Sequence, residues 1–544
     1  MGVRAAGRIR TCPAGVSGSV RSTGHLAGIS ACVDAFTAVV TTGIYCQPAC
    51  SARPRAENTR TYPLAAAAEA AGYRACLRCR PYRYPQTIEW EAPEFVCRGV
   101  RLILEGALDR GSEDDLARRL GISARHLRRL FSAHLGVTPD GLARSARAHF
   151  ARRLLDDTDL SVTEIAFASG FGSLRQFNRA CRGVFRDSPR GLRARRRKAD
   201  RLVADGGLPL RLSFVGQLDW PALLDYFASR AIAGVECIDG EVYRRTIVVE
   251  GYPGVLEFRP GGHDHLLLCA HLPRWGELVH IVQRARAVAN LDLCLEQPQR
   301  VLATDPLLGR LLRRRPGLRP PGAWDGFETG VRAILGQQAT LVGANRLTAR
   351  LVQRFGERVP GLERLGLTHT FPSPTTLATA DLQACGLARP RAAAIHAFAG
   401  AVAADVVRLD RSVSLETLVG SLTSLGGIEA CTAEYLALRL GELDAFPAEA
   451  MPQRDVSRQA AQIAVAPVEH ADRWRPWRAL AATHLWFGAH VPDEQQLKRR
   501  GVSDPGGVLD LRTYMLERRA GNERLDAVSA TRSGEVSTAN ECLP

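Results

Sequence analysis

The chain has 544 residues, too many for one hydrophobic core, and its 46% hydrophobic and 24% charged content is that of soluble globular material in several domains. Lys and Arg number 72 against 56 Asp and Glu, a formal net charge of +16; this points to a polyanion, nucleic acid above all, with a solvated basic surface as the bland alternative. No run of 18 apolar residues appears, so no membrane span is expected, and the basic, Gly- and Ser-rich start lacks the apolar core of a secretory signal.

In chain order, residues 1–35 carry no recognisable pattern. Four of the fourteen cysteines then form one: Cys46-x3-Cys50, 25 residues, Cys76-x2-Cys79. Two close pairs on a longer connection suit a tetrahedral thiolate zinc site, because each short loop brings two sulfurs to one side of an ion; two adjacent disulfides are the alternative. Between the pairs, "PLAAAAEAAGY" reads as a short alanine-rich helix ended by Gly72. Arg53, Arg55, Arg74, Arg78 and Arg80 flank the cysteines and could hold a phosphate beside a thiolate.

The stretch "TTGIYCQPACSARPRAENTRTYP…AAAAEAAGYRACLRCRP" resembles the amino-terminal domain of Ada-type alkylation-repair proteins. The resemblance implies one Zn2+ on Cys46, Cys50, Cys76 and Cys79, with Cys46 irreversibly accepting a methyl group from a DNA phosphotriester. A purely structural zinc knuckle stays open. The acidic-aromatic strand region that precedes the motif in that family is not seen in residues 1–35, which predicts an incomplete supporting sheet.

Residues 112–190 contain an internal echo. Leu116, Ala117 and Gly121 match Ile165, Ala166 and Gly170 at an offset of 49, and Leu127, Phe131 and Pro139 match Phe177, Cys181 and Pro189 at an offset of 50. Each copy predicts a short amphipathic helix, a glycine turn and a second helix. Arg125, His126 and Arg129 on one second helix, and Arg175, Gln176 and Asn178 on the other, are placed to face a major groove. The tandem resembles the AraC-type DNA-binding domain. "RGLRARRRKADR", residues 190–201, reads as a basic linker, phosphate-contacting or a flexible hinge.

From about residue 208 the pattern alternates: "LPLRLSFVG", "YRRTIVVEG", "GVLEFRP" and "DHLLLCAHL" predict antiparallel strands, with "PALLDYFASRAI" and "WGELVHIVQRARAVANL" as helices against them. Residues 323 to about 490 are mainly helical. "DGFETGVRAILGQQ", "TAEYLALR" and "WRPWRALAATHLW" resemble alkylbase DNA glycosylases of the helix-hairpin-helix superfamily, of the AlkA or 3-methyladenine glycosylase II type. The preceding α+β unit then fits that family's amino-terminal domain.

The resemblance implies that Gln338 wedges into the duplex when a base is flipped out, and that Tyr435 and Trp486 stack on the cationic damaged base; a plain core role is the alternative for each aromatic. The third pocket aromatic falls on Cys431. In "LGGIEACTAEY" the phosphate-binding hairpin keeps Gly427 and Ile428, but Glu429 stands where the second glycine is usual; its carboxylate would repel phosphate and its backbone would resist the turn. The family's catalytic Asp, which stabilises positive charge on the sugar, falls on Ala450 in "DAFPAEAM". Glu449, one residue early, is a weak substitute; Asp444 and Asp455 are near in sequence only. No lysine sits in the hairpin to form a Schiff base, which implies a monofunctional glycosylase.

The expected fold class is multidomain α+β, mainly α. It comprises an atypical start (1–35), an Ada-like four-cysteine zinc domain (36–85), an AraC-type tandem helix-turn-helix (95–195), an AlkA-like amino-terminal α+β domain (208–300), a helix-hairpin-helix glycosylase domain (323–490) and a polar tail (491–544). The expected function is DNA alkylation repair with its transcriptional regulation, on alkylated and promoter double-stranded DNA. Activation implies RNA polymerase as a further partner, in a bacterial cytoplasm and at the nucleoid. The competing reading is a DNA-binding regulator whose glycosylase domain recognises lesions without chemistry.

Overall fold

Short strands pair where small apolar residues alternate with polar ones. In the computed structural model, which describes residues 35–48, 50–84, 93–109, 111–202, 207–448 and 471–488, β1 (Phe36–Val39), β2 (Ile44–Cys46), β3 (Thr59–Tyr62) and β4 (Arg74–Ala75) form a sheet in the order β3-β1-β2-β4. β1 is antiparallel to β2 and β3, whereas β2 is parallel to β4. Helix α1 (Ala65–Ala70) buries Ala65 to Ala68, small side chains that allow a close approach to its neighbours. Among the described residues the strand beside Cys46 comes from Phe36–Val39, immediately after the atypical start; residues 1–34 lie outside the described residues.

The echo in the sequence is an echo in space. After α2 (Glu94–Leu104), helices α3 (Glu113–Arg119) and α4 (Ala124–Leu135) make one helix-turn-helix; α5 (Pro139–Asp157) connects it to a second, α6 (Val162–Ala168) and α7 (Leu174–Phe185), followed by α8 (Pro189–Ala194). Ser112 with Asp115, and Ser161 with Glu164, form reciprocal capping boxes at the first helix of each unit. Ser123 and Ser173 cap the second helices. The turns need glycine: Gly121 and Gly170 have φ of 71° and 78°, and a Cβ on Gly170 would lie 2.6 Å from Asp109 Oδ2.

Next come β5 (Leu208–Ser213), α9 (Trp220–Ser229), β6 (Glu236–Asp239), β7 (Val242–Val249), β8 (Tyr252–Pro260), β9 (His265–His271) and α10 (Leu278–Val288). The sheet is antiparallel throughout, in the order β5-β9-β8-β7-β6, as the alternation predicts. Leu256, Phe258 and Leu268 bury one face in a cluster with Leu223 and Phe227 of α9 and Ile281 of α10. The rest is helical: α11 (Glu296–Leu302), α12 (Pro306–Arg314), α13 (Gly326–Gly336), α14 (Leu341–Phe355), α15 (Pro374–Thr379), α16 (Arg389–Ala403), α17 (Leu415–Thr423), α18 (Ala430–Leu440) and α19 (Arg478–Gly488). Their core runs through Phe327, Ile395, Phe398, Leu436 and Leu485. Among the described residues no helix is long and apolar enough to cross a membrane.

The segments are joined by buried polar contacts. Tyr45, next to Cys46, donates to Glu69 at 2.6 Å, and Glu69 hydrogen-bonds His149 of α5 at 2.6 Å. Tyr82 and Arg83 donate to Asp156 (2.8 and 3.3 Å), and Arg83 also to Asp157 (2.6 Å). The run 190–201 is not a free hinge. Its first residues extend α8, Arg193 and Arg196 donate to the carbonyls of Leu160 and Thr158, and Arg195 and Arg201 pair with Asp187 and Asp159. Four of the six arginines in the run are thus engaged by carbonyls and carboxylates of the helix-turn-helix domain.

Candidate metal centre and candidate active site

The parallel pairing of β2 with β4, Ile44 to Arg74 and Tyr45 to Ala75, sets the residues that follow each strand side by side. Cys46 ends β2, buried; Cys76 follows β4, its N–H donating to Tyr45 O at 2.9 Å. Tight turns return Cys50 and Cys79 to the same place, through Cys50 N–H to Gln47 O and Arg80 N–H to Cys76 O. All four Sγ atoms lie within 4.8 Å of one another, and all four are free thiols, so the disulfide alternative falls. Four sulfurs at that spacing fit a tetrahedral zinc, with Zn–S near ~2.3 Å. A hydrogen bond from Cys46 is the chief reason Cys79 drops to about 6; the same bond, with burial, pushes Cys46 up.

Of the flanking arginines, Arg53 and Arg78 are exposed and Arg55 pairs with Glu57 on the surface. Arg80 departs from expectation: it is buried, with φ 51°, and donates to Asp200 at 2.5 Å. Its left-handed backbone turns the side chain inward, towards a carboxylate. A second group, Glu257, Cys269 and His271, also brings its donor atoms within 4.8 Å. Glu257 is held there by Arg244 (2.5 Å) and His271 (3.1 Å), so its charge is already met.

On the recognition helices, Arg125, Arg129, Arg175 and Gln176 are exposed, and His126 and Asn178 are half-buried. His126 hydrogen-bonds Arg129 at 3.0 Å, while the Asn178 amide is turned back onto Leu174 O at 2.8 Å. Arg179 and Arg182, also exposed on α7, continue the Arg175 face at i+4 and i+7, a helical spacing legible in the sequence.

In the helical domain the hairpin between α17 and α18 takes its turn at Gly426 and Gly427, with φ of 72° and 71°. Glu429 sits at φ −72°, ψ 150° as the N-cap of α18, an ordinary extended conformation, so the expected backbone obstruction is absent. Its carboxylate is exposed and accepts from Gln338 Nε2 at 2.9 Å, and Cys431 Sγ lies 3.7 Å from its other oxygen. Gln338 itself has φ 53° and is exposed, while Gln337 donates to Gly427 O. Tyr435 and Trp486 come together, ring centroids 6.1 Å apart. Glu449, Ala450 and Asp455 lie outside the described residues. Asp444 is described and is neutralised: Arg478 donates to it at 2.8 and 3.0 Å, and Arg475 also pairs with it.

Two pocket residues escape the sequence reading. Tyr226 of α9 lies with its hydroxyl 2.6 Å from that of Tyr435, and the buried Arg439 donates to both at 2.9 Å. Tyr226 belongs to the α+β unit, 209 residues from Tyr435, and no local pattern connects them.

A cysteine-cluster domain, a tandem helix-turn-helix, an α+β unit and a helix-hairpin-helix domain in one chain define a DNA-repair enzyme fused to a DNA-binding regulator. Four family models match accordingly: "Metal binding domain of Ada" over residues 30–82, "Helix-turn-helix domain" over 116–195, "AlkA N-terminal domain" over 209–325 and "HhH-GPD superfamily base excision DNA repair protein" over 331–519. The "Probable bifunctional transcriptional activator/DNA repair enzyme AlkA" of Mycobacterium tuberculosis is 36% identical over 466 residues, covering 84% of this chain and 93% of the relative. The chain belongs to this family of bifunctional transcriptional activator/DNA repair enzymes. "DNA-3-methyladenine glycosylase 2" of Escherichia coli is 34% identical over 283 residues, 51% of this chain and 96% of the relative. "Bifunctional transcriptional activator/DNA repair enzyme Ada" of Escherichia coli is 36% identical over 136 residues, 25% of this chain and 37% of the relative. The chain thus carries a site for one zinc ion, a DNA-binding helix-turn-helix domain and a DNA glycosylase domain, and DNA is its partner.

Proposed function

We propose that this protein senses DNA methylation damage at Cys46, activates transcription through its two helix-turn-helix units, and excises alkylated purines such as 3-methyladenine. The observation that carries the sensing step is the convergence of Cys46 with Cys50, Cys76 and Cys79 at one sheet end. A zinc ion held by these four sulfurs would keep them deprotonated and share their charge. The Cys46 thiolate attacks the methyl carbon of a phosphotriester; an S–C bond forms, the O–C bond breaks, and the phosphodiester leaves with the negative charge. Cys46 becomes a neutral thioether, and repulsion from neighbouring phosphate falls. Arg125, His126, Arg129, Arg175, Gln176 and Asn178 would then read the promoter, and RNA polymerase would be recruited there.

For excision, Gln338 fills the gap left by the flipped base, Gly427 and the hairpin N–H groups hold the strand, and Tyr435 and Trp486 stack on the cationic base. Glu449 is the substitute carboxylate for the charge that develops on the sugar as water replaces the base.

A second reading, lesion recognition without chemistry, is favoured by Asp444, whose charge is met by Arg475 and Arg478, and by the carboxylate of Glu429 at the hairpin. Single-turnover release of 3-methyladenine from alkylated duplex DNA separates the two. Release that Glu449→Gln abolishes supports the enzyme; release only by Ala450→Asp supports the recogniser. Mass spectrometry after incubation with methylphosphotriester DNA tests Cys46 directly, with one added methyl expected on its peptide.

A further inference from the structure

Beside Tyr226 lies a small interior space lined by Arg230, Arg245, Arg332, Arg439, Glu236 and Glu328. Arg245 pairs with Glu328 at 2.6 Å and Glu236 at 3.5 Å, and Arg332 pairs with both at 3.4 Å. Two guanidinium groups therefore balance the two carboxylates. Arg439 makes no ion pair with a carboxylate among the described residues. Its Nε donates to Pro321 O (2.9 Å), one terminal nitrogen to Gly322 O (2.8 Å), and the other to the hydroxyls of Tyr226 and Tyr435 (2.9 Å each). Arg439 is only 7% exposed, and Arg230 stacks on the Tyr226 ring, its Cζ 4.1 Å from the centroid. A buried cation with only neutral acceptors is expensive, and among the described residues the acidic groups hydrogen-bonded to this one are two phenols 2.6 Å apart.

We propose that Tyr226 and Tyr435 share one proton, so that the pair carries a single negative charge opposite Arg439 and presents an anionic aromatic wall to the base pocket. Burial alone would raise the Tyr435 hydroxyl, but Arg439, Arg230 and the hydrogen bond with Tyr226 more than offset it and bring it down to about 7. Burial pushes Tyr226 up to about 12. Between those values one proton remains on the pair. The charged groups facing it are Arg439 from α18, Arg230 beside α9 and, acting through Arg439, Glu236 of β6; Glu434 of α18 is occupied by the Phe446 N–H at 3.0 Å, and Trp486 of α19 is neutral.

The consequence rests on the reading of Tyr435 and Trp486 as the base pocket. An alkylated purine such as 3-methyladenine carries a positive charge in the strand, and an electron-rich phenolate ring attracts it more strongly than a neutral phenol does. The pocket would then favour cationic over neutral lesions, increasingly as pH rises through 7. It would also hold an anion although Ala450 replaces the family's carboxylate.

The test uses the full zinc-bound chain. Tyrosinate absorbance is followed from about pH 5 to about pH 9, below the ordinary tyrosine range near ~10. One tyrosine equivalent is expected to ionise around neutrality, to vanish in Tyr435→Phe, and to move up in Arg439→Gln. Absence of any tyrosinate in the native chain over that range would overturn the proposal. Tyr435→Phe removes one oxygen only, so it keeps the test decisive if Arg439→Gln fails to fold. The same pH series with a duplex carrying one 3-methyladenine, against one carrying neutral hypoxanthine, checks the pocket. Binding preference for 3-methyladenine should grow at least several-fold through the titration. Tyrosinate without any such preference would overturn the assignment of the pocket while the shared proton stands.

Discussion

Asp156 holds the zinc domain to the helix-turn-helix domain, and its removal gives the sharpest test of that join. The carboxylate is fully buried on α5 and receives Tyr82 O–H at 2.8 Å, Arg83 at 3.3 Å, and the charges of Arg152 at 2.7 Å and Arg80 at 3.7 Å. In Asp156→Ala, Arg83 keeps Asp157 at 2.6 Å and Arg80 keeps Asp200 at 2.5 Å. Arg152, 2% exposed, loses its carboxylate and retains the Leu192 carbonyl at 3.0 Å. One buried cation stranded in this way costs about 3–5 kcal/mol. Tyr82→Phe, by contrast, deletes one hydrogen bond to a charged acceptor, about 1.5–3 kcal/mol. The assay is zinc release to a chromogenic chelator across a urea gradient, which reports on residues 36–84 although the substitution lies in α5. Asp156→Ala should shift release to lower urea by clearly more than Tyr82→Phe. Equal shifts, or a cost under about 1 kcal/mol, would refute the account of a buried, charge-balanced join.

Three further outcomes are expected. The native chain should hold one zinc and Cys76→Ala none, by elemental analysis of dialysed protein, because three sulfurs no longer close the tetrahedron. Gly427→Ala should cost about 1–3 kcal/mol and weaken duplex binding in a fluorescence-anisotropy titration, since its φ is 71° and a Cβ would lie 2.9 Å from that of Ala394. His484 is buried, and burial with the nearby Arg315 holds it down at about 4. The unfolded histidine, near ~6.5, binds the proton first, so its contribution is intact above that value and is lost as pH falls towards 4, by up to about 3 kcal/mol. Urea midpoints at about pH 7 and about pH 4.5 should therefore differ more for the native chain than for His484→Gln.

What the sequence discloses is whatever is local. Cysteine spacing announces the metal centre because two short turns do most of the gathering, and the remaining step, the parallel β2–β4 pair, needs only adjacent strands. The helix-turn-helix echo is legible because Gly121, Gly170 and four capping serines occupy positions where few other residues suffice. Arg80 is misread because charge is visible in a sequence while side-chain direction is not; its left-handed φ sends it to Asp200, 120 residues away. Glu429 is half legible. Its carboxylate is plain from the sequence, but the positive φ values fall on Gly426 and Gly427, leaving Glu429 in a conformation open to any residue. Tyr226 could not be found by pattern, since its partners lie across a domain boundary on α18.

The bridge from Tyr45 through Glu69 to His149 bears on how such a fusion can be taken apart. Tyr45, Tyr82, Leu154 and Phe177 belong to one continuous apolar cluster that also takes in Leu208 and Phe258. The units recognisable as sequence modules are therefore not mechanical modules. A fragment ending near residue 84 would bare Tyr45, Tyr82 and a half-satisfied Glu69 to water, and one beginning near residue 93 would cost His149 its bond to Glu69 and Asp156 its bonds to Tyr82 and Arg83, with Arg152 still beside it. Recombination that swapped either piece alone would inherit the motif and lose the fit, so the zinc domain and the helix-turn-helix domain are bound to change together.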